Sequence, residues 1–351
     1  MKIKVKFVDM PQGFDVYNNC YFRNLSRIGE VEISDEPQIV FYGPFGTEFL
    51  KYKECVFVFL ADEPVVPNFN DCDYAIGSVD MTFGKRYFRH PPITGYGEIS
   101  DVKILTQERT ISQKLVQREF CNFIYSNEVN GQGAILRKKF CKRLSEYKKV
   151  DCPGRVLNNM EGVIENRYDR RVLGTNYFND NWMTSKIAFQ KKYKFTIAFE
   201  NIQMDGWTTE KLIHPLFAYS VPIYWGNPNV SEFFNTKAFV NCNEFDDDFE
   251  KVINRVIELD KDDEQYLWIL KQNPVQDRYD INWEDKLTEF FCYVVQNGKV
   301  EKNPMGFVSM SAVDYPTICR EGKVGLRSIV SMNVGSVKGW IDYKLKRRKE
   351  L

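Results

Sequence analysis

The sequence predicts an α/β protein built as two parallel-sheet units, and three observations lead there. The chain has 351 residues, above the size at which a single hydrophobic core ordinarily stops growing. Short apolar runs alternate along it with helix-like stretches, the pattern of strand–helix–strand units. Hydrophobic residues make up 43% and aromatic residues 15%, enough for a substantial core, and no long tract has a disordered composition.

The first unit, residues 1–118, opens on Met1-Lys2-Ile3-Lys4-Val5-Lys6-Phe7-Val8. Its alternating polar and apolar residues read as a strand over Ile3–Val8, not as a secretion signal, because no continuous apolar core follows the lysines. Further strands are expected at Gln38–Tyr42, Val56–Leu60 and Tyr74–Val79. Pro91-Pro92-Ile93-Thr94-Gly95-Tyr96-Gly97 is rich in breakers, and the aperiodic stretch after it places the boundary near residue 118. The second unit, residues 119–300, carries expected strands at Phe123–Ser126, Phe195–Glu200, Ile223–Trp225 and Ala238–Val240. Its expected helices are Ile135–Tyr147, Lys211–Tyr219, Asp247–Leu259, Asp262–Gln272 and Asn282–Gln296. Residues 301–351 form an extension with a basic tail.

Composition excludes some classes of function. Lys plus Arg equals Asp plus Glu, at 48 each, so no general basic charge argues for nucleic acid. The nine cysteines are scattered and never spaced as C-x-x-C. That spacing is not a zinc site, and the thiols read as small buried residues of a reducing, cytoplasmic setting. The longest apolar runs fall far short of the ~18 residues that a membrane span needs.

The segment Lys192–Pro228 carries the chemistry. Tyr193–Glu200 reads as a buried strand, Asn201–Gly206 as a polar loop, and Thr208 or Thr209 as the cap of the next helix. Pro215 falls inside that helix, where it is partly tolerated or kinks it. A strand–loop–helix of this kind presents free backbone N–H groups at the C-terminal edge of a parallel sheet, where anions bind. Lys211 adds a positive charge. Glu210 repels an anion but suits the hydroxyls of a ribose or hexose, or else it is simply a first-turn acid that favours the helix dipole. Arg137 follows the polar loop 127–133 near the start of a helix, and a guanidinium grips phosphate through paired hydrogen bonds.

The run Phe199-Glu200-Asn201, Gly206-Trp207-Thr208-Thr209-Glu210-Lys211 and Pro222-Ile223-Tyr224-Trp225-Gly226 resembles the signature of the α-1,3/4-fucosyltransferases, glycosyltransferase family 10, above all the bacterial Lewis-antigen enzymes. Pro67-Asn68-Phe69-Asn70-Asp71-Cys72-Asp73-Tyr74-Ala75-Ile76-Gly77 resembles the motif of that family's first domain. Ser126-Asn127, Arg137 and Val156-Leu157-Asn158-Asn159 resemble the entry to its second. The resemblance implies a GT-B fold, two Rossmann-like domains facing a cleft, with GDP-fucose held by the second domain. It implies Glu210 and Asn201 on sugar or ribose hydroxyls, Trp207 stacking nearby, and Lys211 and Arg137 on the diphosphate. The implied reaction is inverting transfer of L-fucose to N-acetylglucosamine in a lactosamine-type oligosaccharide, in α-1,3 linkage. An α-1,4 or dual specificity, or another nucleotide sugar, is the alternative. In relatives a Glu shortly before the Pro-Asn-Phe-Asn stretch acts as general base; here that is Glu63, with Asp62 as the alternative. This chain has Asp62 where the family usually has glycine, and Pro64 where it has asparagine.

Asp71-Cys72-Asp73 spells a D-x-D, but its place before a strand suggests a turn or cap, and with Lys and Arg on the diphosphate no metal is required. Asp246-Asp247-Asp248 is expected to cap the helix that follows. His214 is expected to be structural. The tail Gly339–Lys349 mixes aromatic and basic residues; peripheral contact with an anionic membrane and simple solvation both fit it.

Overall fold

A computed structural model of the chain describes residues 1–11, 13–61, 63–92, 105–128, 131–161, 182–279 and 282–301. Asp62 and the extension from 302 onward, with its basic tail, lie outside the described residues.

The first sheet contains β1 (Lys2–Val8), β2 (Glu30–Ile33), β3 (Ile39–Tyr42), β4 (Val56–Ala61), β5 (Tyr74–Gly77) and β6 (Tyr87–Arg89). Their order is β2-β1-β3-β4-β5-β6, parallel throughout. The alternation expected in the first strand is observed: Ile3, Val5 and Phe7 are buried between more exposed lysines. β3 and β5 are buried at every position, as strands covered on both faces of a parallel sheet must be.

The second sheet contains β7 (Glu119–Asn122), β8 (Val150–Asp151), β9 (Tyr193–Phe199), β10 (Val221–Trp225) and β11 (Val240–Asn241). The order is β11-β10-β9-β7-β8, again parallel. β9 is central and buried at all seven positions. The strand expected at Phe123–Ser126 is found earlier, at Glu119–Asn122, because the ladder with β9 is made there; Cys121 pairs with Phe195.

Among the described residues seven helices cover these sheets: α1 (Cys20–Ser26), α2 (Gln132–Leu144), α3 (Trp182–Gln190), α4 (Glu210–Phe217), α5 (Phe249–Lys261), α6 (Asp263–Lys271) and α7 (Trp283–Asn297). In α5 the buried residues are Val252, Ile253, Val256 and Leu259, an apolar stripe at helical spacing. Of the three aspartates before α5, Asp248 is the cap and accepts from the N–H groups of Glu250 and Lys251.

α7 falls within the span assigned by sequence to the second unit, yet it packs on the first sheet. Trp283, Leu287, Phe290, Phe291 and Val294 share a core with Val5, Phe41, Leu60 and Tyr74, and Phe291 meets Phe41 edge to face at 5.8 Å. Thr288 donates to Asn24 of α1 at 2.8 Å. The chain thus leaves the second sheet and closes the first domain. No helix among the described residues is long and apolar enough to cross a membrane.

Register decides what stands at the sheet edges. Ala61 pairs with Gly77, so the loops after β4 and β5 leave side by side. Phe199 pairs with Trp225, so Glu200 and Gly226 do the same in the second sheet. The two edges meet there. Asp80 donates its backbone N–H to the Asp205 carbonyl at 2.9 Å. Val79, Met204 and Trp207 form a joint apolar cluster, with Val66, Met81 and Ile202 against it.

Candidate active site

β9 delivers Glu200 to the end of the second sheet, and the loop 201–209 leads into α4. Thr209 caps α4, accepting from the Lys211 N–H at 3.3 Å. The helix then ends on Tyr219, in a left-handed conformation with φ 53°, with Ser220 donating to the Pro215 carbonyl and Tyr219 to that of Leu216. This terminal motif keeps α4 to eight residues and returns the chain directly into β10. Pro215 is accommodated inside it.

The glycines on either side of the loop are required by close approach. A Cβ on Gly133, in the first turn of α2, would overlap the Glu200 carbonyl; the Gly133 N–H instead donates to the Asn201 carbonyl at 2.8 Å. Gly206 has φ 84°, and a Cβ there would overlap the Ser78 carbonyl of the first domain. The loop 201–209 is thereby pressed between α2 behind and the β5 loop in front.

Glu200 lies beneath α4 and is fully buried. Its carboxylate accepts from the Thr209 N–H at 2.8 Å and from the Thr209 hydroxyl at 2.8 and 2.9 Å. The Lys211 ammonium is 3.2 Å from Glu200 and 3.6 Å from Glu210. Lys211 also lies 5.8 Å from the centre of the Trp207 ring. Burial pushes the Glu200 carboxyl above its usual range, against the pull of Lys211. Burial works against the Glu210 carboxylate too, but Lys211 and Lys186 outweigh it and hold its pKa well below the usual range. Burial likewise opposes the charge of Lys211, and Glu200 and Glu210 overcome it and raise its pKa. His214, fully buried on α4, is pushed well below its ordinary pKa by burial.

The sequence-predicted residues converge unevenly. Glu210, Lys211 and Trp207 lie together at the start of α4. Asn201 and Arg137 meet each other at the end of β9, with Arg137 donating to Asn201 Oδ1 at 2.9 Å. Arg137 is 1% exposed and also donates to the carbonyls of Phe199 and Asn127. Its guanidinium lies 3.9 Å from the centre of the Tyr125 ring. Its hydrogen bonds bolt α2 to the end of β9, so its charge acts on the pocket through space. Trp207 is 2% exposed and packs in the interdomain cluster. Glu63 stands in the loop after β4, with its carbonyl accepting from the Val65 N–H. The next residue, Val66, packs in the cluster that contains Trp207, so this loop of the first domain reaches the loop 201–209 of the second.

Asp73 is fully buried and accepts from the backbone N–H groups of Phe57 and Val300 at 2.8 and 3.2 Å. Asp71 accepts from the Asn68 side chain at 2.6 Å. The Asp71 contact lies within the turn 68–71, whereas Asp73 ties the start of β5 to β4 and to the chain after α7. Among the described residues no cluster of three or more His, Cys, Asp or Glu side chains could hold a metal ion.

Sequence reasoning missed Glu200 and Lys186 as members of the site. Lys186 is 6% exposed on α3; burial lowers its pKa to about 8, while Glu210 pulls it upward. The available signal was that Lys186 is the only charged residue of α3. With it, the described residues of the site set two carboxylates, Glu200 and Glu210, against three cations, Lys186, Lys211 and Arg137, a net of one positive charge. Such a site suits an anion that also carries hydroxyls.

Two parallel α/β domains meeting at their C-terminal sheet edges, with this pocket on the second, define a GT-B protein. Residues 5–96 match the alpha-(1,3)-fucosyltransferase FucT N-terminal domain, and residues 116–308 match the glycosyltransferase family 10 (fucosyltransferase) C-terminal domain. The chain belongs to glycosyltransferase family 10, the fucosyltransferases. It is 31% identical over 265 residues to the alpha-(1,3)-fucosyltransferase FucT of Helicobacter pylori, covering 70% of this chain and 52% of that protein. It therefore spans about half the length of that relative. A crystal structure of an alpha1,3-fucosyltransferase superposes with a TM-score of 0.68 at 25% identity, covering 87% of this chain and 93% of the other. A second, with GDP, gives 0.67 at 25% identity, covering 86% and 93%.

Proposed function

We propose that the protein transfers L-fucose from GDP-fucose to a hydroxyl of N-acetylglucosamine in a lactosamine-type glycan, with inversion, giving an α-1,3 linkage. The observation that carries this reading is the charged first turn of α4, Glu210 and Lys211 over buried Glu200, in a family 10 chain. Lys211 neutralises the diphosphate, with the charges of Arg137 and Lys186 behind it. Glu210 and the Asn201 amide accept and donate at sugar or ribose hydroxyls, and Trp207 closes the side of the pocket toward the first domain.

In the reaction the acceptor oxygen attacks the anomeric carbon as the bond from that carbon to the diphosphate oxygen breaks. Glu63 takes the acceptor proton and GDP leaves with the bonding pair; Asp62 is the alternative base. Negative charge grows on the diphosphate, and cations already in place stabilise it without rearrangement. On this reading no metal is needed, and the protein works in the cytoplasm. Its basic tail meets an anionic membrane.

Incubation with GDP-fucose, GDP-mannose and UDP-sugars in turn, each with a panel of glycan acceptors, tests this reading. GDP release from GDP-fucose with an α-1,3-linked product is expected. No release from GDP-fucose with any acceptor would sink it, and an α-1,4 product would reassign the linkage.

A further inference from the structure

Glu200 is placed where neither substrate chemistry nor folding alone calls for a carboxylate. It is fully buried and touches both ends of one turn, holding the Thr209 N–H and hydroxyl and standing 3.2 Å from the Lys211 ammonium. Lys211 already has an anion in Glu210, 3.6 Å away. A buried lysine needs a partner to be tolerated, and here it has two. The second carboxylate lowers the pocket's net positive charge from two to one, in a pocket that must hold a diphosphate and then give it up.

We propose that Glu200 is a positioning residue that fixes Lys211 for the leaving diphosphate and offsets part of its charge, so that the spent nucleotide is released. This rests on the reading of the pocket as a nucleotide-diphosphate site. Glu200 lies below the helix turn and does not touch the ligand. Its hydrogen bonds set where the ammonium sits, and its charge sets how tightly the product is held.

The test is GDP binding by isothermal titration calorimetry on the whole chain, with steady-state kinetics and a melting curve for each variant. Glu200→Gln preserves shape and an acceptor for Thr209 while removing the charge, and Lys211 keeps Glu210. A folded Glu200→Gln protein is expected to bind GDP roughly tenfold more tightly, the size of one unit charge acting across a side chain in partly solvated protein, and to turn over more slowly. A purely structural role would instead weaken binding, kcat and melting temperature together. GDP affinity unchanged or weakened in the folded variant would overturn the proposal. Should Glu200→Gln not fold, Glu200→Asp decides, since it keeps the charge but shifts the turn: GDP affinity near that of the unaltered protein with reduced kcat supports the proposal, and loss of GDP binding overturns it. If the unaltered protein itself fails to bind GDP, it is the nucleotide reading that fails.

Discussion

Arg89 and Glu232 form a two-pronged ion pair, at 3.0 and 2.6 Å, that ties the first domain to the second. Arg89 ends β6, and Glu232 follows β10. The pair is mostly shielded from solvent, at 22% and 19% side-chain exposure. Arg89 also meets Asp80 at 3.1 Å and lies over the Phe233 ring. It therefore gathers both loops that border the site, Asp80 from the β5 side and Glu232 from the β10 side.

Replacing Arg89 with Met leaves Glu232 half-buried with, among the described residues, Arg278 as its cation, 3.6 Å away. A loss of about 1–3 kcal/mol in stability is expected, since a shielded charge loses its bidentate partner. Urea unfolding of Arg89→Met, Glu232→Gln and the double variant checks it, and the pair should show a coupling energy well above that of an exposed ion pair.

Gly206→Ala puts a side chain at φ 84° and against the Ser78 carbonyl. Strain and overlap together are expected to cost about 1–3 kcal/mol. Because the contact crosses between domains, the KM for donor should rise as well. Equilibrium unfolding and donor kinetics on the same preparation read both effects.

GDP affinity is expected to fall as pH rises through about 8, where Lys186 loses its proton. The sign follows from charge: deprotonation removes one cation from a pocket that binds an anion. Stability moves the other way. The folded-state pKa lies below the ordinary 10.5, so the folded chain binds fewer protons in that window and gains stability as pH rises across it. Calorimetric GDP titrations between pH 7 and 9 check the first trend, and Lys186→Met should flatten it.

Glu63→Gln is expected to lower kcat by roughly 100- to 10,000-fold, the usual contribution of a general base. The affinity for GDP should be unchanged, because Glu63 stands on the other domain. Asp62→Asn beside it distinguishes the two acids: whichever substitution removes transfer while sparing GDP binding identifies the base.

The segment from β9 to α4 was legible in the chain because each part carries its own local signal. Tyr193–Phe199 is a mostly apolar run broken only by Lys194 and Thr196, Thr209 is a hydroxyl placed to cap, and Glu210-Lys211 are charges at a helix start. The same locality made α5 and its Asp248 cap readable. The short strands β2, β6 and β8 were not legible. They have two to four residues and are held by neighbours already in place, not by a pattern of their own. Lys186 was passed over for a related reason, since a lone lysine on a helix looks like a solvated residue until the fold buries it.

By itself, then, the sequence determined the parallel α/β class, the central strands and the anion-suited turn at Glu210 and Lys211, because periodicity, caps and charge act over a few residues. Tertiary structure alone decided that α7 returns to the first sheet, that Arg137 is spent as a bolt on Asn201 and two backbone carbonyls, and that Glu200 lies under Lys211. Those outcomes depend on which surfaces meet after folding. A guanidinium or carboxylate takes its role from the partners within about 3 Å of it, and in this protein those partners are drawn from elements as much as 258 residues away along the chain.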